Sequence, residues 1–208
     1  MKFTVFFSYN YLSIYKKVRA VEKVFQALEK DVTSFQLQSG LKCLSACGKC
    51  CSKADIEASI LEFLPFAYHL YKNDQAFDFL DQLKNSNSAY CLLFRPFLGV
   101  DHKGFCSDYK YRGLICRLFG FSGRRDKYGT KNLVTCKVIK TEQEDIFTRV
   151  SEDISTEKME VPMMSDYSMK LYAIDFQLAA KYYPINEAIK LAIETVLSYY
   201  SYRTNKAG

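Results

Sequence analysis

The chain has 208 residues but only two histidines, four prolines and no apolar run long enough to span a bilayer, which takes about 18 residues or more. Two histidines are too few to support a Ser-His-Asp triad or a histidine-rich zinc hydrolase. There is no G-x-x-x-x-G-K-[ST] loop and no G-x-G-x-x-G turn, so nucleotide hydrolysis and dinucleotide binding lack a scaffold. No internal repeat or low-complexity tract interrupts the chain. The apolar start, Phe3-Thr4-Val5-Phe6-Phe7, gives way to Ser8-Tyr9-Asn10 and is shorter than the roughly 7–15 residues of a secretory h-region. The expected compartment is therefore the cytoplasm, where thiols stay reduced. With 49% hydrophobic residues the chain is not disordered. Its eight cysteines are too dilute for a small disulfide scaffold, which carries more than about 8–10% Cys. The length fits one domain with a core of its own, spanning 1–208.

Periodicity predicts a mostly α fold. Long N- and C-terminal helices should pack around an irregular, cysteine-rich centre holding at most a short hairpin. Ile14, Val18, Val21, Phe25, Leu28, Val32 and Phe35 recur at threes and fours, which sets an N-terminal helix over 12–39, with Gly40 as its stop. Residues 40–140 form the cysteine-cluster core. Within it a helix is expected from Ile60 to Tyr71, and a second one capped by Asp74. Asp126-Lys127-Tyr128-Gly129 reads as a turn and Leu133–Ile139 as a strand. Residues 141–208 form a C-terminal helical part. Thr141-x-x-Glu144 has the form of a capping box for a helix to Ile154, another helix is expected near 165–181, and Pro184 opens the last one.

What the chain does have is thiols. Cys43, Cys47, Cys50 and Cys51 fall within nine residues, and Cys91, Cys106, Cys116 and Cys136 spread over 46. Cys47-Gly48-Lys49-Cys50 has the spacing of a metal knuckle, and Gly48 would free its backbone. Neighbouring side chains diverge on extended or helical backbone, so Cys50 and Cys51 suit two metal centres, or one multinuclear cluster, better than one small ion. Eight thiolates would complete two four-coordinate sites. Cys91, beside Leu92-Leu93-Phe94, and Cys136, in an apolar run, read equally well as core residues. His69 reads as a half-buried helix residue and His102 as a loop residue. Cys116, next to Arg117, would be a nucleophile with a lowered pKa if exposed. No catalytic residue, substrate or reaction can be assigned.

The cysteine groups resemble those of the YkgJ-type cysteine-cluster family, the CxxCxxCC domain to which zinc or iron chelation is attributed. Cys106-Ser107-Asp108-Tyr109 and Arg112-Gly113-Leu114-Ile115-Cys116-Arg117-Leu118-Phe119-Gly120 are similar to that family's C-x-I-Y…R-P-x-x-C-R-x-F-P stretch, with Gly113 and Gly120 where the family has proline. The resemblance implies metal ligation by Cys43, Cys47, Cys50, Cys51, Cys106 and Cys116, with Cys91 and Cys136 as the remaining candidates. It implies zinc or iron as cofactor, with an iron–sulfur cluster open. Some members of that family, the flagellin lysine methylases, are enzymes carrying an iron–sulfur cluster.

Charge is uneven. Between Asp101 and Lys140 ten basic residues face three acidic ones, a net of +7 against +6 for the whole chain. One reading makes this stretch, with Ser122–Lys127 as phosphate ligand, a nucleic-acid-binding surface on a zinc-stapled module. The other makes it counter-charge for thiolates. If eight thiolates hold two dipositive centres, the formal +6 falls to about +2, so the nucleic-acid reading loses ground. The expected function is metal binding through clustered cysteines. The alternatives are a cluster-dependent redox or transferase enzyme and the nucleic-acid module. The expected partner is a metal ion, with no membrane. The sequence does not set the oligomeric state.

Overall fold

The computed structural model describes residues 12–86, 88, 90–99 and 103–204. The N-terminal helix α1 covers Ile14–Ser39. Ser13 caps it, its Oγ accepting from the Lys16 N–H at 3.3 Å. Gly40 ends it in the left-handed conformation, φ 78°, and returns its N–H to the Gln36 carbonyl. Ile14, Val18, Val21, Phe25 and Leu28 are buried along one face, as the spacing predicted.

That face packs on α2, Ile60–Lys72, which is buried nearly all round and lies between α1 and the C-terminal helix α9, Ile185–Thr204. Leu61, Leu64 and Ala67 of α2 meet Ala188, Ile189, Ala192 and Val196 of α9 in the same core, all at 0% exposure. Pro65 sits in the second turn of α2 rather than the first, and removes one backbone hydrogen bond there. The helix α3, Ala76–Asn85, packs on α9, and α7, Met164–Ile174, on α1.

Three short antiparallel pairings tie the helices together. β1, Glu57–Ser59, pairs with β6, Tyr182–Pro184, and so joins the starts of α2 and α9. β2, Phe94–Pro96, pairs with β3, Gly104–Cys106. β4, Ser122–Arg125, and β5, Lys131–Val134, form the hairpin expected around Asp126, whose carboxylate accepts from the Tyr128 and Thr130 N–H groups. A second core of Phe35, Leu41, Phe121, Ile139, Val150, Ile154, Val161 and Met163 lies under this hairpin. Over it fold α5, Lys137–Glu142, and α6, Glu144–Ser155. Among the described residues no helix is long and apolar enough to cross a membrane.

Several local expectations give way to tertiary structure. Asp74 takes a positive φ of 57° in the turn between helices, and α3 starts two residues later. The strand expected to reach Ile139 stops at Val134, and Cys136 caps α5 instead. Thr141 is not a cap. It lies inside α5, its hydroxyl donating to the Lys137 and Val138 carbonyls, and the chain breaks at Gln143. The helix expected over 165–181 breaks at Asp175, whose carboxylate accepts from Leu178 N–H, at the start of the helix α8, Phe176–Ala179, and pairs with Lys17 Nζ at 2.5 Å.

Candidate metal centre

The loop from Leu41 to Ile56 carries the first cysteine group as two successive turns. The Cys47 N–H donates to the Leu44 carbonyl, and the Cys51 and Ser52 N–H groups donate to the Gly48 carbonyl. The left-handed residue here is Ala46, φ 53°, and not Gly48. Gly48 is required for a different reason. A Cβ there would lie 2.3 Å from Cε2 of Phe94. A Cβ on Gly104 would lie 2.6 Å from the same atom and 2.3 Å from the Arg95 carbonyl oxygen. The Phe94 ring therefore lies against both glycines, and the Gly104 N–H donates to the Ala46 carbonyl beside a bridge between Cys47 and Gly104. These contacts dock the first cysteine loop on the β2–β3 pair that delivers Cys106.

Cys50 and Cys51 do not diverge as extended or helical neighbours would. The turn brings their Sγ atoms to 3.9 Å. From that contact the eight cysteines divide into two sets. Cys51, Cys91, Cys106 and Cys116 line one cavity of about 30 Å³, walled by Phe63, Leu93, Phe94, Ile56 and Ile185, with Arg112 at its edge. This is the inner set. Cys43 lies within electrostatic reach of Cys47, Cys50 and Cys136, the outer set. Cys43 and Cys50 are exposed and the other six are half-buried. Among the described residues no three Cys, His, Asp or Glu side chains stand close enough to hold an ion without moving. The donor chemistry nonetheless fits: thiolates are soft ligands that select zinc or iron over hard cations, and four of them line one cavity.

Crowding and burial set the acidities. Burial, with the Cys47, Cys50 and Cys136 thiols adding to it, pushes the Cys43 thiol up to about 11. Burial likewise pushes Cys91 up to about 11, with Cys106 adding to it, and raises Cys106 and Cys116. The Cys51 thiol, hydrogen-bonded to Cys50, is raised well above its usual range, and the Cys50 thiolate that accepts this bond falls to about 6. The half-buried Cys116 thiol is therefore raised, not lowered as its neighbour Arg117 led us to expect. Its neighbour Arg117 is engaged elsewhere, donating to the Glu29 carboxylate and to the Arg112 and Lys110 carbonyls, with its guanidinium over Phe25.

The cations that act on the thiols are Arg112 and Arg95. Arg112 lowers the pKa of Cys43, Cys50, Cys106 and Cys116, so its charge faces both sets. It is held by stacking on Tyr109 at 3.4 Å and by a bond from Nε to the Tyr109 carbonyl. Other charges of the basic stretch serve the fold. Lys131 pairs with Glu157 and Glu160, and Arg125 closes the β4–β5 turn on the Gly129 carbonyl. In the phosphate-ligand candidate, the Gly123 and Asp126 N–H groups already donate to Pro162 and Thr130.

Four further side chains position the cysteine backbone. Glu62, buried at 2% exposure, accepts from Ser59 N–H and Oγ at the start of α2. Its other oxygen accepts from Ile115 N–H at the start of α4, Leu114–Leu118, the helix that carries Cys116. The Asn186 amide, on the first turn of α9, clamps the chain around Cys91, accepting from Leu92 N–H at 2.8 Å and donating to the Tyr90 carbonyl at 2.9 Å. Gln143 does the same beside Cys43, accepting from Lys42 N–H and donating to the Lys42 carbonyl. Arg149 holds the Ser39 carbonyl. Ser59-x-x-Glu62 is a legible capping box that the sequence reading passed over. Nothing in the local sequence marks Gln143 or Asn186. His69 is half-buried and stacks on Tyr111 at 4.6 Å. His102 lies outside the described residues.

Residues 42–137 match the family model of the CxxCxxCC domain, described as "Putative zinc- or iron-chelating domain". The match begins one residue before Cys43 and ends one after Cys136, and so takes in all eight cysteines. No curated protein and no solved structure matches the chain significantly. Residues 42–137, a little under half of the chain, are thus similar to the CxxCxxCC domain that the cysteine groups resemble.

Proposed function

We propose that this protein holds zinc or iron through its eight cysteine thiolates, arranged as two four-thiolate sets that meet at Cys50 and Cys51. The observation that carries the reading is the inner group: Cys51, Cys91, Cys106 and Cys116 line one small cavity, and Cys51 touches Cys50 of the same loop at 3.9 Å. Four thiolates per ion is the composition of a closed site, which stabilises a fold and leaves no open coordination position. The reading treats the chain as one domain, because the inner cavity is completed by Phe63 of α2 and Ile185 of α9, far apart in sequence.

The protein's own residues supply three things. Arg112 and Arg95 offset the negative charge of the thiolates. Phe63, Leu93, Phe94, Ile56 and Ile185 supply an apolar wall beside the inner sulfurs. Glu62, Asn186 and Gln143 hold the ligand-bearing backbone in place. When bound, zinc would cross-link the loops, and iron in a sulfide cluster would add electron transfer. Anaerobic purification without chelator, followed by elemental analysis and an absorption spectrum, tests the reading. Two zinc ions per colourless chain, or iron with inorganic sulfide in a brown one, is the expected result. Less than one ion per chain after reconstitution overturns it.

A further inference from the structure

The β2–β3 ribbon has two unlike faces. On one, the buried Phe94 ring lies against Gly48 and Gly104 and docks the cysteine loop. Side chains alternate across a strand, and the register sets Arg95 opposite Phe105. The Phe97 N–H donates to the Lys103 carbonyl at 2.9 Å, which carries the pairing one step further. Arg95, Phe97, Lys103 and Phe105 therefore share the other face, each ring opposite a cation and the rings diagonal to one another. The ring centroids stand 6.0 Å apart at an angle of 46°, with Phe97 43% and Phe105 53% exposed. Arg95 and Lys103 are exposed too, and among the described residues neither pairs with a carboxylate. Arg95 is fixed in place, its Nη1 donating to the Leu92 carbonyl at 2.5 Å.

The chemistry of this face selects its occupant. An acidic protein surface offers carboxylates to the cations but no flat partner to the rings. A bilayer would take Phe97 and the exposed Leu98 after it, but the segment joining the strands carries Asp101, an acid that an anionic lipid surface repels. An unpaired polynucleotide strand offers both elements at once, phosphates for the cations and open base faces for the rings. We infer that the outer face of the β2–β3 ribbon binds single-stranded nucleic acid, with bases of one strand stacked on Phe97 and Phe105 and its phosphates on Arg95 and Lys103. This goes beyond metal holding, and it uses a different hairpin from the one that carries Ser122–Lys127. The cysteine loop behind the ribbon keeps the platform rigid, so the rings are presented in place before the strand arrives.

The test uses the full chain, purified under reducing conditions, and short mixed-sequence RNA and DNA strands labelled with fluorescein, read by anisotropy over a range of salt. A single strand should bind, and its duplex, whose base faces are covered, should bind about tenfold or more weakly. Phe97→Ala and Phe105→Ala should each weaken binding by about tenfold. Phe97→Tyr should bind as the wild type does, and Phe105→Leu, apolar but not flat, should lose as much as Phe105→Ala. Lys103→Ala should reduce the slope of log affinity against log salt by about 0.7. Circular dichroism confirms that each variant is folded, and metal content measured on the same samples reads the metal-holding function separately. Absence of single-strand binding overturns the inference. So does binding that Arg124→Ala abolishes while the Phe97 and Phe105 variants leave it unchanged, which puts the contact on β4. Full binding by Phe105→Leu, or phosphatidylserine vesicles that bind the chain and displace the strand, overturns base stacking in favour of a lipid contact.

Discussion

Replacing Gly48 by alanine tests how the first cysteine loop is docked. The added Cβ would lie 2.3 Å from Phe94 Cε2 and 2.7 Å from Cζ, both well inside the 3.4 Å of ordinary contact and the first by more than an ångström. The ring edge already rests against the Gly104 backbone, and Phe94 is only 8% exposed, so it has little room to turn away. Overpacking of this kind costs about 1–3 kcal/mol. Phe94→Leu removes Cε2 and Cζ, so the double variant Gly48→Ala/Phe94→Leu should be more stable than the sum of the single changes by about 1–2 kcal/mol. Gly104→Ala separates this mechanism from general damage. Its Cβ meets the Arg95 carbonyl oxygen at 2.3 Å, and shortening Phe94 leaves that clash in place. The assay is denaturant unfolding of the reduced, metal-free chain, comparing midpoints at constant slope. The reasoning fails if Gly48→Ala leaves the midpoint unmoved, or if Phe94→Leu relieves Gly104→Ala as fully as it relieves Gly48→Ala.

Three other outcomes follow from the same geometry. Burial raises all of the Cys91, Cys106 and Cys116 thiols, and hydrogen bonding raises Cys51, so filling the inner set near neutral pH should release about four protons per ion. Affinity there should fall as pH falls; proton release measured with an indicator dye that stays near zero would refute this. Burial raises the Glu62 carboxyl above its ordinary 4.5, so its contribution to stability is fully present below that value and is lost as pH rises through the folded-state pKa. Thermal melts should show this decline in the wild-type chain and not in Glu62→Gln, whereas Glu62→Ala should lower stability at every pH by stranding the Ser59 and Ile115 N–H groups. Lys17 and Asp175 pair at 2.5 Å with side chains 10% exposed. Lys17→Met should therefore cost about 3–5 kcal/mol, and Lys17→Met/Asp175→Asn should recover part of it in the same melts.

The legible parts of this protein are those carried by periodicity and by composition. The α1 stripe from Ile14 to Phe35 and its Gly40 stop are local, because a helix needs only its own backbone and one apolar face. The turn at Asp126–Gly129 is likewise local, since Asp126 bonds residues two and four ahead of it. The capping motifs show where local reading stops. Thr141-x-x-Glu144 and Ser59-x-x-Glu62 have the same form, yet only the second caps a helix. Glu62 is held there by burial and by the Ile115 N–H, 53 positions away, whereas Gln143 is drawn out of line by Lys42. The helix near 165–181 breaks for a similar reason, the long-range pair of Asp175 with Lys17.

By itself the sequence determined that the chain is helical at both ends and that the Cys43–Cys51 group is too clustered for a core, and its resemblance pointed to zinc or iron. It also placed the basic excess beside them. Only the tertiary structure decided which cysteines stand together. Cys51 touches its neighbour Cys50 and lines one cavity with Cys91, Cys106 and Cys116, while Cys136 caps α5. That partition depends on Phe94 resting between two glycines, on Asn186 and Gln143 reaching across the fold, and on Glu62 joining two helix starts. Each is a contact between residues distant in sequence. No spacing rule encodes such contacts, because they form only once the helices have packed.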